Sequence, residues 1–187
     1  MADALSGAAL ALSLIVLTTV HVRGMSIALA VQGWAVACAV LSRGIAAGAA
    51  TSWVLAAIVA AASGVAFPAA MQRVAADAET EAGATGWSIP AGALVLVALA
   101  VSLASLPPMR EDLVLALSVV LVGLLRIVAR GELIARITGA LVFWNGTVLA
   151  AAGTPGNPTI AVMLLAWLAV PLFGLWALAH RLADATD

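Results

Sequence analysis

The chain has 187 residues, 65% of them hydrophobic and 9% charged, with a net charge of −1 and no lysine; its mean hydropathy is +1.18. Soluble domains carry about 25% charged residues, so this composition excludes an ordinary water-soluble fold, and it offers no basic footprint for nucleic acid. What remains is an all-α integral membrane bundle, a single transmembrane domain over 1–187 with no polar stretch long enough for a second.

Charges and Pro/Gly clusters predict about seven spans, at 4–20, 25–41, 45–71, 88–106, 113–129, 133–152 and 159–179. Met1-Ala2-Asp3-Ala4 lacks the positive region of a secretory signal, so the first segment is expected to be a retained helix. Pro68 is expected to kink or end the third span. The fourth opens on Trp87-Ser88-Ile89-Pro90, an interfacial tryptophan followed by a first-turn proline. From 137 to 179 no charged side chain occurs, and Gly153-Thr154-Pro155-Gly156-Asn157-Pro158 divides that stretch into two helices joined by a tight turn.

An odd number of spans puts the termini on opposite faces. Arg23, Arg73, Arg126, Arg130, Arg136 and Arg181 then share one face, and Arg43 and Arg110 the other. The positive-inside rule makes the first face cytoplasmic, which leaves the N-terminus outside and the C-terminus in the cytoplasm.

An internal echo accompanies this arrangement. Val22-Arg23-Gly24-Met25-Ser26-Ile27-Ala28 matches Ala129-Arg130-Gly131-Glu132-Leu133-Ile134-Ala135 in Arg, Gly, Ile and Ala at one constant offset, and Gly33 faces Gly139 after a one-residue slip. The expectation is two parallel three-helix repeats, about 4–72 and 113–180, joined by a connector helix at 88–106.

Ionisable groups inside a membrane are costly and mark function by default. The one cluster here is Arg126, Arg130, Glu132 and Arg136, around the short turn between the fifth and sixth spans. Arg126 lies about one turn before Arg130, so both can point along one face toward the cytoplasm. Glu132 and Arg136 stand at i, i+4 in the favourable order for an ion pair. Two readings follow. The arginines snorkel to headgroups and set topology, or Arg126 and Arg136 meet carboxylates of a neighbouring subunit or line a proton inlet.

Gln32 and Asn145 fall at comparable depth in the second and sixth spans, where interhelical hydrogen bonding is the expected job. Asn145-Gly146-Thr147 matches a glycosylation pattern but lies inside an apolar span. Trp144 and Trp167 sit near mid-span and read as packing residues. Cys38 is the only cysteine, which excludes an internal disulfide; it is expected to be a small buried hydrophobe. Gly44 and Gly48 form a small-xxx-small pair that permits close helix packing. His21 and His180 read as interfacial, with no third ligand for a metal. No phosphate loop, nucleophile elbow or metal-spaced Cys/His set occurs, so no cofactor is expected in this chain and it is expected to catalyse nothing alone.

The run Gly123-Leu124-Leu125-Arg126-Ile127-Val128-Ala129-Arg130-Gly131-Glu132-Leu133-Ile134-Ala135-Arg136-Ile137-Thr138-Gly139, followed by Asn145-Gly146 and Leu149, resembles the hydrogenase-4 component E family, membrane subunits related to the K subunit of complex I. The close match runs from Gly123 to Leu149, with looser agreement elsewhere. The resemblance implies a subunit of a complex I-like, proton-translocating redox complex in a bacterial or archaeal cytoplasmic membrane. Large antiporter-like membrane subunits would be its partners. It also implies buried carboxylates in the sixth span, shortly after the glycine, and in the seventh. This chain departs there: Leu141 or Trp144 occupies the first position, and Leu164-Leu165-Ala166-Trp167-Leu168-Ala169-Val170 contains no acid. An indole cannot replace a carboxylate in a relay, so the expected role is to brace or seal a path carried by partners. A subunit of a related cation/proton antiporter or ion-coupled uptake complex is the alternative. A small independent transporter, which would need broken helices or polar groups clustered at mid-depth, is another.

Overall fold

The computed structural model describes residues 2–19, 21–77, 111–129 and 133–152, and residues 164–180 except 165, 175, 178 and 179. All regular elements among them are helical. They are α1 (Ala2–Thr18), α2 (Val22–Ala47), α3 (Ala50–Val59), a π-helical turn (Ala60–Ala66) that runs on into α4 (Phe67–Asp77), α5 (Glu111–Ala129) and α6 (Leu133–Ala152). Residues 166–174 are also helical.

Three stretches are long and apolar enough to cross a membrane: Val22–Ala47, Ala50–Arg73 and Leu133–Ala152. At 1.5 Å per residue α2 alone is about 39 Å long, more than the hydrocarbon core of a bilayer. Ala4–Thr18 and Leu113–Ala129 are shorter apolar helices. The predicted span at 88–106 lies outside the described residues, and the described part of 159–179 is helical.

Two differences from the sequence reading have a clear physical cause. The second span was expected to end at 41 and the third to begin at 45, with Arg43 and Gly44 between them. Instead α2 runs on to Ala47 and stops at Gly48, whose φ of 64° places it in the left-handed region, with its N–H and that of Ala49 returning to the Ile45 and Gly44 carbonyls. Glycine takes that conformation without steric cost, which is why the helix ends there and not at Gly44. Gly44 stays helical because it is a packing position, where an added Cβ would collide with Ser52 of α3. The second difference concerns Pro68. It does not end the helix, which runs on through α4; the ladder widens to the π pattern just before it. A proline removes one N–H and crowds the carbonyl four residues back, and a π turn relieves the crowding.

α2 occupies the centre, in contact with α1, α3, the π turn, α4 and α6, while α5 packs against both α1 and α6. Leu17, Leu29, Val36, Val40, Val119, Leu141, Trp144 and Val148 form the centre of the core. Outward-facing positions are equally apolar: Ile27, Val31, Trp34, Trp53, Val54, Val128 and Phe173 are all exposed. Helices that are hydrophobic around their whole circumference belong in lipid or inside a large assembly. Cys38 is exposed, contrary to the expected burial. In so Ala-rich a helix the apolar pattern does not single out an inner face, and α2 turns Ala37 and Ala39 inward instead.

Candidate functional site

Several of the polar groups inside the bundle are organised along one face of α1. Ser6 and Ser13, two helical turns apart, are both fully enclosed, and the Val16 and Leu17 carbonyls continue the same row. Ser6 and Ser13 meet side chains of α2, and the Val16 and Leu17 carbonyls meet α5.

At the Ser6 end, Arg43 of α2 donates through Nη2 to the Ser6 hydroxyl at 3.2 Å and through Nη1 to the Leu149 carbonyl of α6 at 3.1 Å. One guanidinium therefore ties three helices together. Seven residues along α1, Ser13 donates to the Ala9 carbonyl at 2.7 Å and accepts from Gln32 Nε2 at 2.6 Å. Across α2, Ser63 of the π turn donates to Asn145 Oδ1 of α6 at 2.9 Å. Gly33 makes that pairing possible: a Cβ there would lie 2.5 Å from the Ser63 carbonyl carbon, so only glycine lets the two backbones approach so closely.

At the other end Arg126 of α5 is buried, with 3% exposure. Its Nη1 donates to the Val16 and Leu17 carbonyls, the latter at 3.0 Å, and its Nη2 contacts Met25 Sδ. Neither sequence reading described this placement, since the side chain does not snorkel out to headgroups. It caps the last turn of α1, where carbonyls lack intrahelical donors and the helix dipole favours a cation. Thr18 and Thr19 complete the cap through the Leu14 and Ile15 carbonyls.

Arg136 is exposed on the first turn of α6, while Arg126 is turned inward. Arg130 and Glu132 lie outside the described residues, and with them the expected Glu132–Arg136 pair. Gln32 and Asn145 are both fully enclosed and both bridge helices. Trp144 is buried with its indole N–H donating to the Leu164 carbonyl at 2.8 Å. Trp167, read as a packing residue, is instead 53% exposed, with the Phe143 ring tilted beside it at a centroid distance of 6.0 Å.

Sequence reasoning missed Arg43, Ser6, Ser13 and Ser63. The serines carried a readable signal, a seven-residue spacing on one helical face in α1 and a Ser-Gly pair shortly before a proline in the π turn. Arg43, with a glycine after it, reads in the sequence as a charge between two spans.

The chemistry open to this arrangement is limited by its donors and acceptors. Asp3, Asp77, Glu111 and Asp112, the acids among the described residues, all stand at or next to helix ends. Hydroxyls and carboxamides orient hydrogen bonds but do not take up or release a proton near neutral pH. Among the described residues no group of three His, Cys, Asp or Glu side chains is placed to hold a metal ion. The site can hold helices in register and accommodate polar groups at mid-depth. No protein-family model, characterised protein or solved structure matches the chain.

Proposed function

We propose that the chain is a non-catalytic membrane subunit of a complex I-like, proton-translocating redox complex of the group 4 [NiFe]-hydrogenase or formate hydrogenlyase type. In this reading it sits in the cytoplasmic membrane beside large antiporter-like subunits and braces or seals a proton path that they carry. The observation that carries the reading is the make-up of the described interior, where hydroxyls, carboxamides and arginines occur with no carboxylate at mid-depth. A lateral proton relay needs groups that titrate, so such an interior suits a subunit that closes a path. The resemblance of Gly123 to Leu149 points to the kind of complex. The exposed Trp34, Trp53, Val128 and Phe173 give a surface that lipid or partner helices can cover.

Purification in mild detergent, with the co-purifying chains identified by mass spectrometry, tests this. Large multi-span subunits together with hydrogenase-like metal subunits are the expected result. Multi-span partners without any redox subunit would favour the antiporter or ion-coupled uptake complex. One observation favours a second reading, an independent transporter: the π turn interrupts a spanning helix at the level of Gln32, Ser63 and Asn145, and broken helices at mid-depth line solute sites in secondary transporters. A homogeneous monomer or homodimer would support it.

A further inference from the structure

Gln32 and Asn145 each leave one buried amide atom without a hydrogen-bond partner, Oε1 of Gln32 and Nδ2 of Asn145. Their neighbours fix which atom is left over. The Ser13 hydroxyl has one proton and gives it to the Ala9 carbonyl, so it accepts from Gln32 Nε2 and leaves Oε1 as an acceptor. Ser63 gives its proton to Asn145 Oδ1 and leaves the Nδ2 hydrogens as donors. The two amides lie at one level, because Gly33, next to Gln32, touches the backbone of Ser63, and Ser63 reaches Asn145.

The π turn brings a third group to the same level. At its end the Phe67 N–H reaches back five residues to the Ala62 carbonyl. The next donor in that series would serve the Ser63 carbonyl, but it belongs to Pro68, which has no N–H. Two acceptors and one donor thus stand at this level on α2, the π turn and α6, and all three belong to residues that are buried. Trp34 lies against Gly64 on the outer side of the turn, where a Cβ would come within 3.0 Å of its indole nitrogen.

We propose that this is a binding site for one internal water molecule, which donates to Gln32 Oε1 and the Ser63 carbonyl and accepts from Asn145 Nδ2. Water has the matching set, two hydrogens to give and lone pairs to receive, and buried water characteristically makes two to four such bonds. A cation would face the Nδ2 hydrogens and an anion the two carbonyl-type oxygens, so the site selects a neutral molecule. The water lets the π turn persist at mid-depth, since groups that lipid cannot solvate are satisfied internally. The site is built from this chain alone and does not depend on which partners the chain has.

The full chain, reconstituted in lipid bilayers with its Asn side-chain amides 15N-labelled, gives a direct test. Asn145 and Asn157 are the only asparagines, so two signals arise and Asn157→Ser assigns them. In solid-state NMR edited for transfer from water, the enclosed Asn145 amide is expected to gain intensity at short mixing times. Pro68→Ala restores an N–H toward the Ser63 carbonyl, removes one of the three partners, and is expected to lower that intensity about threefold. An Asn145 signal with no more water transfer than the dry core, as when Nδ2 bonds Gln32 Oε1 directly, overturns the proposal. So does full transfer that Pro68→Ala leaves unchanged, because the Ser63 carbonyl would then not be a partner.

Discussion

Arg126→Ala is expected to destabilise the bundle by about 2–3 kcal/mol, the range for removing a charged donor from buried acceptors. The reason lies at the C-terminal end of α1. The final carbonyls of a helix lack intrahelical donors, and Val16 and Leu17 are fully buried, so water does not readily take the place of Arg126 there. The two threonines serve Leu14 and Ile15, and Arg126 serves Val16 and Leu17 from another helix. Truncation therefore strands two acceptors and uncouples α1 from α5 in one step. Arg126→Lys keeps the charge at the negative end of the helix dipole but cannot spread several N–H groups over two carbonyls and a thioether, so it is expected to fall between wild type and Ala. Thermal unfolding midpoints of the detergent-solubilised protein, with yields of monodisperse material, measure the series. An Arg126→Ala midpoint equal to wild type would show that the guanidinium is not holding the end of α1.

Gly123→Val and Gly139→Val are each expected to cost at least about 1–3 kcal/mol, the usual penalty for forcing atoms into a packed interface. α5 and α6 approach through glycine at three levels. A Cβ on Gly123 would lie 2.7 Å from Phe143 Cα and 2.8 Å from the Gly139 carbonyl oxygen. One on Gly139 would lie 2.9 Å from the Gly123 carbonyl oxygen and the Ile127 nitrogen, and one on Gly146 would lie 2.6 Å from the Val120 nitrogen. These obstacles are backbone atoms, so no rotamer change relieves the clash and the helices must separate. Without a hydrophobic drive between helices in lipid, close packing of this kind is the main source of association. Gly7 serves as the comparison, because nothing lies within 4 Å of a Cβ there, and Gly7→Ala is expected to be neutral or to gain up to about 1 kcal/mol of helix propensity. Far-UV circular dichroism during heating follows both. Gly123→Val melting together with Gly7→Ala would remove the seam from the account.

Part of this was legible in the sequence. The apolar runs of α5 and α6 are bounded by charge and, after α6, by the Gly/Pro cluster that begins at Gly153, so the predicted 133–152 coincides with the helix Leu133–Ala152 and 113–129 differs from Glu111–Ala129 only at its start. Gln32 and Asn145 stood out as amides in otherwise apolar spans, and a buried amide must find partners. Their partners did not stand out, because serine is common in such helices and its role depends on which face looks inward. Ala-rich segments hide that face, and this is also how Cys38 and Trp167 came to be assigned inward. Arg43 and Arg126 were read by the rule that charge marks a membrane surface. A long side chain can instead fold back along its helix and reach a carbonyl inside, which sequence distance from a span end does not reveal. The turn at Gly48 was misplaced because Gly44 looks equally able to break a helix. What separates them is that Gly44 packs against Ser52 while Gly48 adopts a positive φ.

The purified chain, alone in liposomes loaded with a pH-sensitive dye, gives the most direct test of an interior that closes a path and carries nothing by itself. Under an imposed potential and pH gradient, its proton flux should equal that of protein-free vesicles, and no solute should exchange. Sustained proton flux above that level, abolished by changing Gln32 or Asn145, would mean that this chain is itself a conductor.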